Sequence, residues 1–131
     1  MMKIELLYLT YVTVFTGILW VPYVLDRVII RGLISAVGYP VNPKPPSDWS
    51  QRLMKAHANA VENLVIFATL VLVANAHSLT NTSTAMACVT YFFARIAHAL
   101  AYTFAIPWIR TLAFVAGFAA QLTIASQLLL S

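Results

Sequence analysis

Charge is what this chain has least of: four Asp and Glu plus eight Lys and Arg make up 9% of 131 residues, against 61% apolar residues. The mean hydropathy is +0.82. A soluble domain carries roughly a quarter charged residues, so that class is excluded. Disorder is excluded as well, because the chain is strongly apolar and a net charge of +4 is small for its length. Cysteine is almost missing: Cys88 is alone and cannot close an internal bridge. No His, Cys, Asp or Glu cluster has metal-ligand spacing, and there is no glycine-rich phosphate loop. Internal repeats and low-complexity tracts are also lacking. A pI near 9.5 would suit a nucleic-acid partner, but the few cations form no long basic block, and a membrane setting explains the excess better.

What is present in abundance is long apolar sequence. Leu6 to Leu25 has no charged residue over 20 positions, about 30 Å of helix, which is the thickness of a hydrocarbon core. A secretory signal would be shorter and end in a small-residue cleavage site, whereas Asp26, Arg27 and Arg31 follow here. The charge-free stretch from Asn63 to Ala94 is too long for one crossing and is broken near Asn75 to Ser83, where Asn81 or Thr82 suits a helix N-cap. Pro107 fits the first turn of a last helix that carries no charge from Thr111 onward. The expectation is one all-α membrane domain, a four-helix bundle with helices at about 4–31, 48–76, 83–104 and 107–130. Gly38, Pro40, Pro43, Pro45 and Pro46 make the stretch before Asp48 an irregular loop. That loop side and the third connection hold Arg27, Arg31, Lys44, Arg52, Lys55 and Arg110, against Lys3 opposite. The positive-inside rule therefore predicts a multi-pass protein with these connections cytoplasmic and both termini on the other side.

Ionisable groups at membrane depth are costly and usually face a bundle interior or a wet cavity, which singles out Glu62 and Arg95. A structural ion pair between them would explain two residues. On helical spacing, however, Arg52, Lys55, Asn59, Glu62 and Asn63 share an arc of roughly 100°, and Tyr91, Arg95, His98 and Tyr102 a stripe of roughly 60°. Two polar stripes near one face describe a pocket richer in cations than anions, suited to a ligand with several carboxylates and one ammonium group. His57 points away from the Glu62 face and reads as packed between helices, His77 as interfacial, and Cys88 as an inert small hydrophobe. Trp20, Trp49 and Trp108 read as interfacial anchors.

The run Lys55-Ala56-His57-Ala58-Asn59-Ala60-Val61-Glu62-Asn63, then Arg95-Ile96-Ala97-His98-Ala99-Leu100-Ala101-Tyr102, then Pro107-Trp108-Ile109-Arg110-Thr111-Leu112, resembles the MAPEG family. These are membrane-associated proteins in eicosanoid and glutathione metabolism, including microsomal glutathione transferases. The resemblance covers almost the whole chain in order. It implies a homotrimer of four-helix bundles with glutathione as co-substrate, bound between neighbouring subunits on the cytoplasmic side. Position by position, Arg52, Lys55, Asn59, Glu62, Arg95 and Tyr102 match glutathione contacts, and His98 stands where a polar or aromatic contact is found. Arg110 matches the arginine that stabilises the glutathione thiolate. Arg27 or Arg31 could fill the place of an arginine late in helix one. Lys55 departs from the family's frequent arginine and supplies charge without a bidentate fork.

The implied chemistry is conjugation of glutathione to an apolar electrophile arriving through the lipid, or reduction of a lipid hydroperoxide. A cysteine-type thiol with a pKa near 8.5 is mostly protonated at pH 7, and lowering it by about two units needs ~2.7 kcal/mol of anion stabilisation. One nearby guanidinium at ~4 Å and an effective dielectric near 20 supplies ~4 kcal/mol before desolvation. Two other readings remain open on sequence. One is a glutathione- or lipid-binding membrane protein without turnover. The other is a small proton-coupled multidrug exporter with Glu62 as proton carrier, disfavoured because that carboxylate lies in the second helix beside many cations.

Overall fold

The computed structural model describes residues 1–131 and contains helices only: α1 (Ile4–Ile18), α2 (Trp20–Arg31), α3 (Leu33–Val37), α4 (Asp48–Ala76), α5 (Thr82–Thr103) and α6 (Pro107–Leu129). Four helical stretches are long and apolar enough to cross a membrane: Ile4–Arg31, Asp48–Ala76, Thr82–Thr103 and Pro107–Leu129. The first of these differs from the uninterrupted helix expected over 4–31, because it breaks at Leu19. Pro22 is the cause. It has no N–H for the carbonyl of Ile18 and its ring crowds that carbonyl. Leu19 N–H turns back to Thr16 O at 3.4 Å instead.

The stretch expected to be wholly irregular before Asp48 contains one helical turn, α3. Gly32 separates it from α2 with φ 78° and ψ 157°, a region open to glycine alone. Across the base of this segment, the Asp26 carboxylate accepts from Ser47 N–H at 2.9 Å and from Ser47 Oγ at 2.7 Å. Ser47 precedes the first residue of α4, so α2 clamps the start of α4.

The remaining connections are tight. Helix α4 ends with Leu79 N–H bonded to Ala74 O at 2.8 Å and Ser78 N–H to Asn75 O at 3.1 Å, with Ser78 at φ 54°. That is the Schellman arrangement, formed without glycine. Asn81 then caps α5 reciprocally with Thr84, so α5 begins at Thr82, one residue before the expected Ser83. Helix α5 closes by a second Schellman turn, with Ile106 N–H to Ala101 O at 2.8 Å, Ala105 N–H to Tyr102 O at 3.3 Å and Ala105 at φ 58°. It therefore ends at Thr103 rather than at 104, and α6 ends at Leu129 rather than at 130.

Small residues let the helices approach closely: Ala60 on α4, Ala94 and Ala99 on α5, and Ala113, Gly117 and Ala120 on α6 are all buried. This is how bundles pack where the surroundings are as apolar as the core. The most extensive contact is between α5 and α6. Phe67 of α4 stacks on Tyr91 of α5 with ring centroids 3.7 Å apart, and Val12, Val71, Cys88 and Ile124 fill the space around them. One end of the bundle is tied by Thr84 Oγ1 donating to the buried Glu5 carboxylate at 2.7 Å and by Asn81 Nδ2 donating to Gln127 Oε1 at 2.9 Å. The opposite end holds the Asp26–Ser47 clamp.

Two glycine substitutions should act in opposite directions on thermal unfolding in detergent. Gly17 sits inside the span with open space where a Cβ would go, so Gly17→Ala should stabilise by up to about 1 kcal/mol. Gly32 also has open space, but its backbone conformation is closed to alanine, so Gly32→Ala should cost about 1–3 kcal/mol.

Candidate functional site

The α5–α6 connection is so short that the last turn of α5 and the first turn of α6 stand side by side. Tyr102 and Arg110 come from those two turns, and the Arg110 guanidinium carbon lies 4.7 Å from the centre of the Tyr102 ring. That cation–π contact holds Arg110 in place without consuming its hydrogen-bond donors. The same turn leaves the Thr103 carbonyl at the end of α5 without a helical partner. Arg52 of α4 fills it, donating from Nε at 2.9 Å. Arg52, Tyr102 and Arg110, with Ala101, Ala105, Ile106 and Pro107, line a cavity of about 200 Å³. It contains two guanidinium groups and no carboxylate. The N-terminus of α6 adds the positive end of a helix dipole nearby.

A second polar level lies seven residues deeper along both helices, about 10 Å. Arg95, only 2% exposed, donates from Nη2 to Asn59 Oδ1 at 2.7 Å and, more weakly, to His98 Nδ1 at 3.4 Å. Arginine has only donors, so Nδ1 is the acceptor and a neutral His98 carries its ring proton on Nε2. His98 is itself 3% exposed and lies edge-on to Tyr102, with centroids 5.7 Å apart. Arg95, His98, Tyr102 and Arg110 thus form one ladder down α5 and across to α6.

Asn59 is held in turn. Asn63 Nδ2 donates to Asn59 O at 2.9 Å and to Asn59 Oδ1 at 3.3 Å, and Gln121 Nε2 of α6 reaches Asn63 O at 3.1 Å. Gln121 escaped the sequence reading, although an amide in the middle of a charge-free span was a visible signal.

Glu62 does not join Arg95 within the chain. Its side chain is exposed on α4, and the Arg95 bonds go to Asn59 and His98 rather than to a carboxylate. Lys55 is exposed on the same helix. Neither Arg27 nor Arg31 lines the Arg52–Arg110 cavity. Arg27 is half-buried with its Nε unpartnered, and Arg31 donates from Nε to Lys44 O at 2.8 Å beside a different cavity. His57 is half-buried and its Nδ1 lies 2.8 Å from the Tyr23 hydroxyl, packed between α2 and α4. His77 is exposed at the end of α4, and Cys88 is fully buried in the core.

The polar cavity has an apolar neighbour. Phe15, Leu19 and Pro22 of the first span, Trp49 and Leu53 of α4, Leu100 and Thr103 of α5, and Phe104 just after it line a cavity of about 450 Å³. Thr103 belongs to its wall, and the Thr103 carbonyl is the one that Arg52 caps.

Compared with known families, residues 8–130 match the MAPEG family model. The chain belongs to the MAPEG family. No curated protein and no solved structure matches it. Membership in MAPEG makes it a membrane protein of the group concerned with eicosanoid and glutathione metabolism. The motif residues quoted above all fall inside the matched range.

The buried Arg95 bond offers a test of this MAPEG site. Asn59→Ala leaves a nearly inaccessible guanidinium with one weak partner, and the loss of a hydrogen bond to a charged group should cost about 1.5–3 kcal/mol. Thermal unfolding of the detergent-solubilised variant measures it; an unchanged midpoint would show that Arg95 is satisfied by other means.

Proposed function

We propose that this MAPEG protein is a glutathione transferase working as a homotrimer, with glutathione bound at the cytoplasmic side between neighbouring subunits. The observation that carries this reading is the Arg52–Tyr102–Arg110 cavity, in which two oriented guanidiniums face no acid. A buried or half-buried cation without a counter-charge is costly, and an anionic ligand offsets that cost.

The size of the cavity supports a shared site. Ligand pockets for drug-sized molecules run to about 300–1,000 Å³, so about 200 Å³ holds part of a tripeptide. The exposed Lys55 and Glu62 on α4, and Arg27 or Arg31, then complete the walls when copies adjoin. In this arrangement Arg52, Lys55 and Arg95 balance the glutathione carboxylates and Glu62 takes the ammonium group. Asn59, His98 and Tyr102 fix orientation, and Arg110 stabilises the thiolate.

The reaction requires little else of the protein. The glutathione thiol gives its proton to solvent, and the thiolate forms a carbon–sulfur bond with an electrophile as the leaving group departs with its electron pair. The apolar cavity next to Thr103 is a route by which such an electrophile arrives from the lipid. With a hydroperoxide, two glutathiones become the disulfide while the peroxide becomes an alcohol and water. Holding both reactants at one surface converts a bimolecular encounter into an oriented one.

Glutathione added to the purified protein at neutral pH should produce thiolate absorbance in the ultraviolet. Arg110→Ala should abolish it and lower the conjugation rate about 25-fold at pH 7, because raising the thiol pKa from about 6.5 to about 8.5 cuts the thiolate fraction from about three-quarters to about 3%. A depressed thiol pKa keeps the thiolate present above that lowered value, so the variant should recover as pH rises past about 8.5, where the free thiol ionises unaided. Thiolate absorbance that survives Arg110→Ala removes Arg110 from this role, and binding without conjugation of any electrophile favours a non-catalytic pocket.

A further inference from the structure

The segment between α2 and α4 exposes more large apolar side chains than an aqueous loop would. Ile34 is 86% exposed and Val41 94%, and Leu33, Val37 and Tyr39 are exposed with them. Ser35, Asn42 and Lys44 join Arg31 around an open cavity of about 160 Å³. Arg31 donates from Nε to the Lys44 carbonyl, which orients the guanidinium and leaves both terminal nitrogens free. From Arg27 to Ser47 the chain carries Arg27, Arg31 and Lys44 and no acid.

We infer that this segment lies in the headgroup layer of an anionic leaflet, with Leu33, Ile34 and Val37 against the acyl chains and the Arg31–Lys44 cavity holding the phosphate of an anionic phospholipid. Three observations favour lipid over a second copy of the chain. Leu25 and Ile29 are exposed in the last turns of α2, and beyond the break at Gly32 the side chains of Leu33, Ile34 and Val37 are exposed as well, so apolar exposure continues from the end of the spanning helix into the segment. A segment at the end of a span that exposes apolar side chains beside a cavity lined by Arg31 and Lys44 has the composition of an interfacial anchor. Packing of this segment against the same segment of another copy would set these cations against themselves, whereas a lipid phosphate complements them. The cavity suits a phosphate group and is smaller than a tripeptide requires, and the inference does not depend on the glutathione reading.

The full-length protein in detergent, titrated with phosphatidylglycerol or phosphatidylcholine and read by native mass spectrometry, tests it. Phosphatidylglycerol should be retained preferentially. Each cation near an anionic surface is worth about fivefold, so Lys44→Ala should weaken retention by about that factor and Arg31→Ala with Lys44→Ala by roughly 30-fold. In phosphatidylglycerol-containing vesicles, a fluorophore on Ile34→Cys should be quenched by brominated acyl chains and not by aqueous iodide, Cys88 being buried. Equal retention of the two lipids, or of phosphatidylglycerol by the variants, overturns the inference. Displacement by inorganic phosphate at concentrations comparable to the lipid would make this a free-anion site, and displacement by glutathione would assign Arg31 to the thiol site. A label shielded from both quenchers would mean that another copy covers the segment. Each of these results refutes the lipid assignment.

Discussion

A guanidinium group is costly to leave bare among apolar side chains, and the arrangement of this bundle follows from the partners that two of them find. Arg95 on α5 reaches Asn59 on α4, and Arg52 on α4 reaches the open carbonyl end of α5. These bonds run in opposite senses at two depths and fix the height of α4 against α5. The apolar packing around Phe67 and Tyr91 tolerates sliding far better, because small displacements exchange one apolar contact for another. A donor–acceptor distance of 2.7 Å does not tolerate it. Once that register is set, the short turn into α6 determines where Arg110 falls.

The two ends of the bundle are built on different principles. At the end carrying Glu5, Thr84 and Asn81, polar groups satisfy one another within the chain, and the carboxylate is consumed by a hydroxyl. At the opposite end, cations are oriented by groups that cannot neutralise them: a carbonyl for Arg52, an aromatic face for Arg110 and another carbonyl for Arg31. Such partners fix geometry while leaving the positive charge uncompensated. The opposite end thus combines a closed pair, Asp26 with Ser47, with guanidiniums that face no acid.

Much of this was legible in the sequence. The four spans declared themselves because a charge-free run of membrane length has few alternatives, and the α4 bounds at Asp48 and Ala76 followed from loop composition and a polar turn. The ladder from Arg95 through His98 to Tyr102 followed from helical spacing alone. Other features lay out of reach. Both Schellman turns use non-glycine residues, Ser78 and Ala105, at the left-handed position, so the usual marker of a helix end was missing. The choice of Asn59 rather than Glu62 as the partner of Arg95 depends on how α4 is rotated against α5, which periodicity describes only as a broad arc. Pro22 was a readable signal for the break at Leu19, but the long apolar run around it suggested continuity.

The Asp26–Ser47 clamp has a consequence for how such proteins diversify. Because the carboxylate grips the chain just before α4, the twenty residues between Asp26 and Ser47 are a detour whose exit point does not depend on its path. Lengthening a detour of this kind is cheap, about 0.6 kcal/mol for each doubling if the added chain is flexible. Evolution or an engineer can therefore rewrite that excursion, graft a recognition element into it or trim it, and the spanning helices downstream will still start from the same anchored point.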